Sequence, residues 1–196
     1  MEYEILRQRR KSVRIFVEED RVVVKAPWYL PKRIIDAFVK SHQDYIQRLI
    51  APLEEFFYLG QKIKIEPIRH GWRMEGEIFY SDEDRRKNVE SFLQKEAQAY
   101  IPKRVQELAK AFGDRYTRVG ITGAKSRWGS CSSKGHLNFT WRLMTLPPDL
   151  IEYVIVHELC HLSYMNHSRA FWDLVRSRMP DYQQRRKRLK EYSTLF

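Results

Sequence analysis

The stretch "VIVHELCHLSYMNHSRAFW", residues 154–172, decides the fold. It is strongly apolar, yet His157, Glu158 and His161 lie within about one helical turn of one another. A carboxylate buried beside imidazoles costs free energy unless a cation compensates for it. The stretch therefore predicts a buried helix that carries a metal site.

The spacing of these three residues indicates what the metal would do. Side chains four residues apart share one face of a helix, so His157 and His161 can bind the same zinc ion. Glu158 points about 100° further round the helix, where it can accept a proton from a water instead of binding the metal. This is the arrangement of the H-E-x-x-H motif, two ligands and a general base on one helix.

A third ligand must come from outside this turn, because catalytic zinc sites use three protein ligands and one water. His167 is the natural choice. We expect Asn166 to adopt the left-handed conformation that lets the chain turn back, and Ser168 to cap the next helix. The alternative is a pair of core histidines satisfied by hydrogen bonds, with Glu158 at the surface.

The residues before the apolar helix predict how it begins. Residues 125–149 read as a hairpin of two short strands that ends at Pro147-Pro148. Asp149 is the expected N-cap, with Glu152 completing a capping box. Because the helix is apolar on all sides, it is predicted to lie at the centre of its domain, with Cys160 packed in the core.

The N-terminal part, residues 1–82, is predicted to be a small β-rich module with one helix. Residues 12–26 have the pattern of a hairpin, residues 32–50 carry a helical apolar stripe, and strand patterns return at residues 56–81. The polar segment 81–88 is the expected boundary.

Residues 83–196 are predicted to form a second, catalytic domain. It opens with an amphipathic helix that runs to about Phe112. Pro102 is expected to kink or split this helix, and Gly113 to end it.

Composition restricts the partners and the compartment. The formal net charge is +11, and basic residues cluster at 7–11 and 185–190. Such clusters favour nucleic acid through phosphate contacts, although a basic helix face can also be simply solvated. The chain has two cysteines, no apolar leader and no run long enough to span a membrane, so we expect a cytoplasmic protein.

Three stretches resemble one known family. "RWGSC" (127–131), "HELCHLSYMNHSRAFW" (157–172) and "MPDYQQRRKRLK" (179–190) are similar to the YgjP-like metal-dependent hydrolases, which are related to the SprT-type and WLM-type zinc metallopeptidases. "VRIFVEEDRVVVKAP" and "YLGQKIKIE" also fit, so the resemblance covers nearly the whole chain. It implies an α+β fold, a zincin-like metallopeptidase domain with its active-site helix under a small mixed sheet whose edge strand receives extended substrate.

The resemblance also implies roles for particular residues. Glu158 would be the general base, and one Zn²⁺ per chain would be bound by His157, His161 and His167. The strand beside the substrate cleft would consist of Trp128, Gly129, Ser130 and Cys131. Cys131 could contact the substrate, or the metal in an inhibited state. An oxyanion-stabilising residue stays unassigned, because the chemically suitable Tyr164, His136 and Arg169 each have an equally simple reading as packing or surface residues.

The leading functional prediction is a zinc metallopeptidase that acts on proteins or peptides. A narrower version is a protease of DNA-associated proteins, recruited by the basic surface. A hydrolase of a non-peptide amide and a non-catalytic nucleic-acid-binding protein with structural zinc are further alternatives. Structural zinc usually has four protein ligands, and the three found here favour an open, catalytic site.

Overall fold

The computed structural model describes residues 3–18, 21–51 and 53–192 of the chain. The chain forms two compact units, Met1–Pro52 and Leu53–Phe196. The boundary expected between residues 82 and 83 therefore falls inside the second unit. Helices and strands are both present, as the predicted α+β class requires.

The first unit contains a three-stranded sheet in the order β1-β3-β2. Strands β2 (Arg14–Glu18) and β3 (Arg21–Pro27) pair antiparallel, as predicted for the hairpin, whose turn at residues 19 and 20 lies outside the described residues. Strand β1 (Glu4–Gln8) runs parallel to β3. The core of this unit is formed by Val22, Val24, Ala26, Ile35, Val39 and Ile46.

The prediction of a single helix over residues 32–50 is wrong. These residues form two helices, α1 (Lys32–Ser41) and α2 (Gln43–Ile50), separated at His42. Nδ1 of His42 lies 2.8 Å from the carbonyl oxygen of Phe38. In a continuous helix that carbonyl would accept the main-chain N–H of His42, so the imidazole competes with the helix at this position.

The described residues of the second unit contain two sheets and four α-helices. A four-stranded sheet has the order β4-β5-β7-β6, and a three-stranded sheet has the order β8-β10-β9. Their bounds are β4 (Glu55–Tyr58), β5 (Gln61–Pro67), β6 (Trp72–Glu75), β7 (Ile78–Ser81), β8 (Arg118–Thr122), β9 (Gly129–Cys131) and β10 (His136–Thr140). The helices are α3 (Arg85–Phe112), α4 (Pro148–Cys160), α5 (Arg169–Arg178) and α6 (Tyr182–Tyr192).

Aromatic packing explains why the chain does not divide at residue 82. Phe92 of α3 lies against Phe56 and Phe79 of the four-stranded sheet, with ring centroids 6.0 and 5.4 Å apart. The β4–β5 turn is also attached further along the chain, since the N–H of Leu59 donates to the carbonyl of Met144 at 2.7 Å. The four strands thus share a core with the helices that follow them.

Helix α3 passes through Pro102 without the predicted split, and it ends at Gly113 as predicted, with φ +73°. Proline removes the hydrogen bond to the carbonyl of residue 98. Gln98 is exposed, so water can take that bond, while buried residues such as Ile101 and Val105 keep the helix on the core. None of the described helices is both long and apolar enough to span a membrane.

The three-stranded sheet is mixed, as predicted, and it covers α4. Strand β10 pairs parallel with β8 and antiparallel with β9, which confirms the predicted hairpin and leaves β9 at one edge. Strand β8 was not predicted. A Cβ at Gly120 of this strand would lie 2.7 Å from Oδ1 of Asn138, so a larger residue there would require the Asn138 side chain to move.

Helix α4 is buried on all sides, as predicted, but its predicted cap is wrong. Pro147 is the N-cap residue and Asp149 lies in the first turn without capping it. Instead of closing a capping box, Glu152 pairs with Arg104 of α3 and with Arg185 of α6. Pro148, the first helical residue, has no N–H that would need a cap, and its fixed φ favours helix entry.

A buried ion pair joins the end of α5 to the chain just beyond α3. The side chains of Arg178 and Asp114 are only 10% and 8% exposed, and two hydrogen bonds of 2.7 and 2.8 Å connect them. The guanidinium also lies 4.6 Å from the ring centroid of Phe112. Each charge depends on the other, because neither is solvated by bulk water.

We predict that Arg178→Met lowers the free energy of unfolding by about 3–5 kcal/mol, because the Asp114 carboxylate would stay buried without a partner. Urea denaturation measures the change. Arg176→Met is the matched control: this arginine is on the same helix, is 59% exposed and lies 3.8 Å from Asp173, so its loss should cost less than about 1 kcal/mol. Equal effects of the two substitutions would contradict the assigned role of the buried pair.

Candidate metal centre

The structure brings the three predicted histidines together. His157 lies near the end of α4, His161 follows the last residue of that helix, and His167 precedes α5. One ring nitrogen from each lies within 4.8 Å of the other two. The Nε2 atoms of His157 and His167 are 3.0 Å apart. This is the one group of three or more potential ligands that the described residues form.

A main-chain carbonyl orients His161. Its Nδ1 lies 2.9 Å from the carbonyl oxygen of Tyr164, and Tyr164 is fixed by its own N–H, which donates to the carbonyl of Cys160 at 3.1 Å. A proton on Nδ1 that donates to this carbonyl leaves the lone pair of the imidazole on Nε2. Ligand histidines in metal sites are held in the same way.

Asn166 does not adopt the left-handed conformation that the sequence led us to expect. Among the described residues, Leu59 is the only one other than glycine with a positive φ. The turn is made instead by the Asn166 side chain, whose Oδ1 accepts the N–H of Ser168 at 3.3 Å. Ser168 then caps α5 as predicted, by accepting the N–H of Phe171. Asparagine can close such a turn with its side chain at no cost in backbone strain.

Aromatic rings of α5 stack on two of the imidazoles, a contact that was not expected from the sequence. Phe171 stacks on His161 with centroids 4.5 Å apart, and Trp172 stacks on His167 at 5.6 Å. Trp172 also stacks on Tyr182 of α6. The sequence does contain a sign of this contact. Phe171 and Trp172 follow His167 by four and five residues, which places both rings in the first turn of α5.

The environment favours the neutral form of two of these imidazoles, His157 and His167. Burial, with smaller contributions from His161, His167 and Arg186, lowers the pKa of His157 to about 3. Burial also lowers the pKa of His167, and the Arg186 guanidinium acts in the same direction. A neutral imidazole has the free lone pair that metal binding requires.

Glu158 is buried, with 6% of its surface exposed, which excludes the alternative that places it at the surface. Burial raises the pKa of its carboxyl to about 7, and the positive charge of Arg127 opposes this shift. Its Oε2 has no hydrogen-bond partner within the described part of the chain. Arg127 was given no role by the sequence. Its positive charge lowers the pKa of this carboxyl and so favours the carboxylate form.

Gly129 of β9 leaves the space that Glu158 occupies. A Cβ at this position would lie 2.7 Å from Cγ and 2.8 Å from Oε1 of Glu158. Both distances are below van der Waals contact, so a larger residue would displace the carboxylate or the strand. The "RWGSC" stretch and the H-E-x-x-H helix are therefore in direct contact.

Three of the four residues expected beside the cleft line a common pocket. It has a volume of about 340 Å³ and is lined by Thr122, Ala124, Arg127, Trp128, Gly129, Ser130, Asn138 and Thr140. Cys131 is half-buried on β9, and burial raises the pKa of its thiol to about 11. The role of this strand in substrate binding stays a prediction.

The residues considered for oxyanion stabilisation have other contacts. Tyr164 offers its carbonyl to His161, while 40% of its surface is exposed. The side chain of Arg169 is 96% exposed and lies 3.8 Å from Asp173. The N–H of His136 donates to the hydroxyl of Ser132. The oxyanion-stabilising group therefore stays unassigned.

Part of the basic cluster at 185–190 is used inside the second unit. Arg185 donates to the carbonyl of Asp149 at 2.9 Å and pairs with Asp181 at 2.8 Å. Arg188 pairs with the carboxylate of Asp149, and Arg186 lies 4.6 Å from the ring centroid of Trp172. These contacts attach α6 to the start of α4 and to the metal centre, as expected of structural arginines.

Comparison with known proteins gives one extensive match. The family model described as "YgjP-like, metallopeptidase domain" matches residues 11–192. Two solved structures are similar. The metallopeptidase zymogen of Pyrococcus abyssi abylysin is 20% identical, over 47% of this chain and 93% of its own, with a TM-score of 0.43. That of Methanocaldococcus jannaschii jannalysin is 22% identical, over 49% and 97%, with a TM-score of 0.42. No curated protein matches.

We predict that His167→Ala weakens zinc binding by more than about a hundredfold, because loss of a partner that merely orients a ligand already costs 10- to 100-fold. Titration of the purified chain against a zinc-competing chelator measures the affinity. His70→Ala, an exposed histidine in the turn between β5 and β6, is the control and should bind zinc as the unmodified chain does. Unchanged affinity in His167→Ala would remove this residue from the site.

Proposed function

This chain belongs to the YgjP-like metallopeptidase family, and we propose that it hydrolyses peptide bonds with one zinc ion and with Glu158 as general base. Membership makes it a metal-dependent hydrolase of the peptidase class. The observation that carries the finer proposal is the convergence of three imidazole nitrogens, one of which belongs to the residue just before Glu158, whose buried Oε2 has no protein partner among the described residues.

The donor set fits zinc. His157, His161 and His167 would hold the ion, and three neutral nitrogen donors are a usual set for catalytic zinc. Zinc bound there would polarise a substrate carbonyl and make a water more acidic. Glu158 is not needed as a ligand, since its carboxylate is not part of the group whose donor atoms converge.

Glu158 would transfer the proton. Its unpartnered Oε2 can accept a proton from the water that attacks the scissile carbonyl and later deliver it to the leaving nitrogen. The rigid helix α4 and the contact with Gly129 hold the carboxylate in one place. Such positioning is what makes a general base effective, because the proton acceptor needs no reorganisation during the reaction.

Strand β9 would bind the substrate main chain. In the described sheet it pairs with β10 on one side, and its other side is an edge. An extended peptide can add to such an edge through main-chain hydrogen bonds. Trp128, Gly129, Ser130 and Cys131 would then flank the peptide close to Glu158, because Gly129 contacts that carboxylate.

The remaining alternatives are less well supported. A structural zinc would usually need a fourth protein ligand, whereas the converging group has three members. A non-peptide amide would need the same chemistry, so only a screen of substrates separates it from a peptide.

Cys131 and Cys160 are both free thiols, which suits the reducing cytoplasm expected from the sequence.

We predict that Glu158→Gln retains zinc but loses hydrolysis by about 10²- to 10⁴-fold, the usual contribution of a general base. Cleavage of a quenched-fluorescent peptide library, with zinc content measured on the same samples, tests this. Glu77→Gln, in the exposed turn between β6 and β7, is the control and should be fully active. A fully active Glu158→Gln would exclude Glu158 as the base.

We predict that Gly129→Ala lowers hydrolysis at least about tenfold while zinc binding is retained, because the new Cβ displaces the Glu158 carboxylate. Gly123→Ala is the matched control, since its Cβ would meet its nearest neighbour at an ordinary 3.8 Å. Peptide cleavage and zinc content are again measured together. Equal activity of the two variants would show that the contact between Gly129 and Glu158 is not needed.

A further inference from the structure

The N-terminal unit carries an exposed surface for which the peptidase mechanism has no role. Strands β1 and β3 are parallel, with Gln8 opposite Pro27, so the chain leaves both strands at the same end of the sheet. There the N–H of Trp28 donates to the carbonyl of Gln8 at 3.2 Å. We define the aromatic-basic edge as residues 9–11, which follow β1, and residues 28–33, which follow β3.

Two flat rings dominate the apolar part of this edge. Trp28 is 68% exposed and Tyr29 is 59% exposed, with ring centroids 5.7 Å apart and planes at 89°. Arg7 holds the turn that carries them, because its Nη1 donates to the carbonyls of Trp28 and Leu30 at 3.0 and 2.7 Å. The rings are thus presented on a fixed turn, which reduces the entropy lost when they bind a partner.

The charged residues of the aromatic-basic edge itself are all basic. Residues 5–17 and 21–35 contain nine lysines and arginines and no Asp or Glu. Exposed cations of the aromatic-basic edge are Arg9, Lys11, Lys32 and Arg33. Glu18, the last residue of β2, is opposite Arg21 in the strand register and therefore lies at the other end of the sheet from this edge.

We propose that the aromatic-basic edge binds single-stranded nucleic acid. Its cations would contact phosphates, and unpaired bases would stack on Trp28 and Tyr29, the combination used by proteins that bind single strands without sequence preference. A duplex keeps its bases stacked on each other and cannot use the rings in this way.

The same surface is less suited to a membrane. Val13 and Leu30 are half-buried and pack against the core of the unit, and the aliphatic side chain that follows the edge, Ile34, is less exposed than either ring, at 46%. What the edge exposes is aromatic ring surface next to cations. The binding requires no metal, so it stands independently of the proposed peptidase activity.

Fluorescence anisotropy of the full chain with fluorescein-labelled dT20 and U20 tests the proposal. The double variant Trp28→Ala with Tyr29→Ala should bind at least about 25-fold more weakly, since the loss of each stacked base costs about fivefold or more. Its dependence on salt should be unchanged, because no cation is lost. Tyr45→Ala is the matched control, an aromatic residue of α2 that is 49% exposed and lies outside the edge.

A charge variant tests the second half of the proposal. Arg9→Gln with Lys11→Gln should reduce the slope of log affinity against log salt by about 1.4, which is about 0.7 for each lost phosphate contact on a single strand. Lys40→Gln with Lys103→Gln removes two exposed lysines outside the edge and should leave the slope unchanged.

Three results would overturn the proposal. If the edge variants and the control variants lose the same amount of affinity, the net charge alone attracts the oligonucleotide. Tighter binding of a 20-base-pair duplex than of either single strand would exclude stacking. Binding to vesicles of anionic phospholipid that requires Trp28 and Tyr29, without such a requirement for oligonucleotides, would make the edge a membrane surface. Circular dichroism of each variant verifies that it is folded.

Discussion

The burial of Glu158 is the constraint on which the second unit depends. A carboxylate inside an apolar helix costs several kcal/mol unless nearby groups compensate for it, and its Oε2 lacks a partner among the described residues. Helix α4 is nevertheless buried from Leu150 to Cys160 except at the half-buried Glu152 and His157, and His157 is one position before Glu158. A fold optimised only for stability would place a hydrophobic residue there. The neighbouring strand even has a glycine, Gly129, where a side chain would occupy the space of this carboxylate.

The parts of the second unit support this arrangement in different ways. His161 is oriented by a carbonyl from the loop that follows α4, while His167 is held by stacking on Trp172 of the next helix. Helix α6 is attached to both of the helices that flank this loop, because Arg185 donates to a carbonyl in the first turn of α4 and Arg186 lies over Trp172 of α5. The three histidines thus come from one short segment, but residues of three helices fix their positions.

The basic residues of this chain do not form one uniform surface. In the cluster at 185–190, Arg185 and Arg188 pair with carboxylates of their own unit, so much of its charge is neutralised inside the structure. In the cluster at 7–11, Arg9 and Lys11 are exposed, and residues 5–17 contain no acidic residue. Net charge alone treats these clusters as equivalent, whereas their hydrogen-bond partners distinguish them.

The sequence alone determined the helix of the metal centre, the grouping of its three histidines and the hairpin before it, because these follow from short-range spacing and hydrophobic pattern. It predicted Ser168 as a cap for the same reason.

The sequence prediction failed where a residue can form either of two local structures. Asn166 closes its turn with the side chain instead of the backbone, and the His42 side chain competes with the helix that its neighbours favour. Only the tertiary structure decided that Glu152 pairs with arginines instead of capping, that Gly129 makes room for Glu158, and that the four-stranded sheet belongs to the second unit. These features depend on residues far apart in the chain, and no local pattern records which distant surfaces will meet.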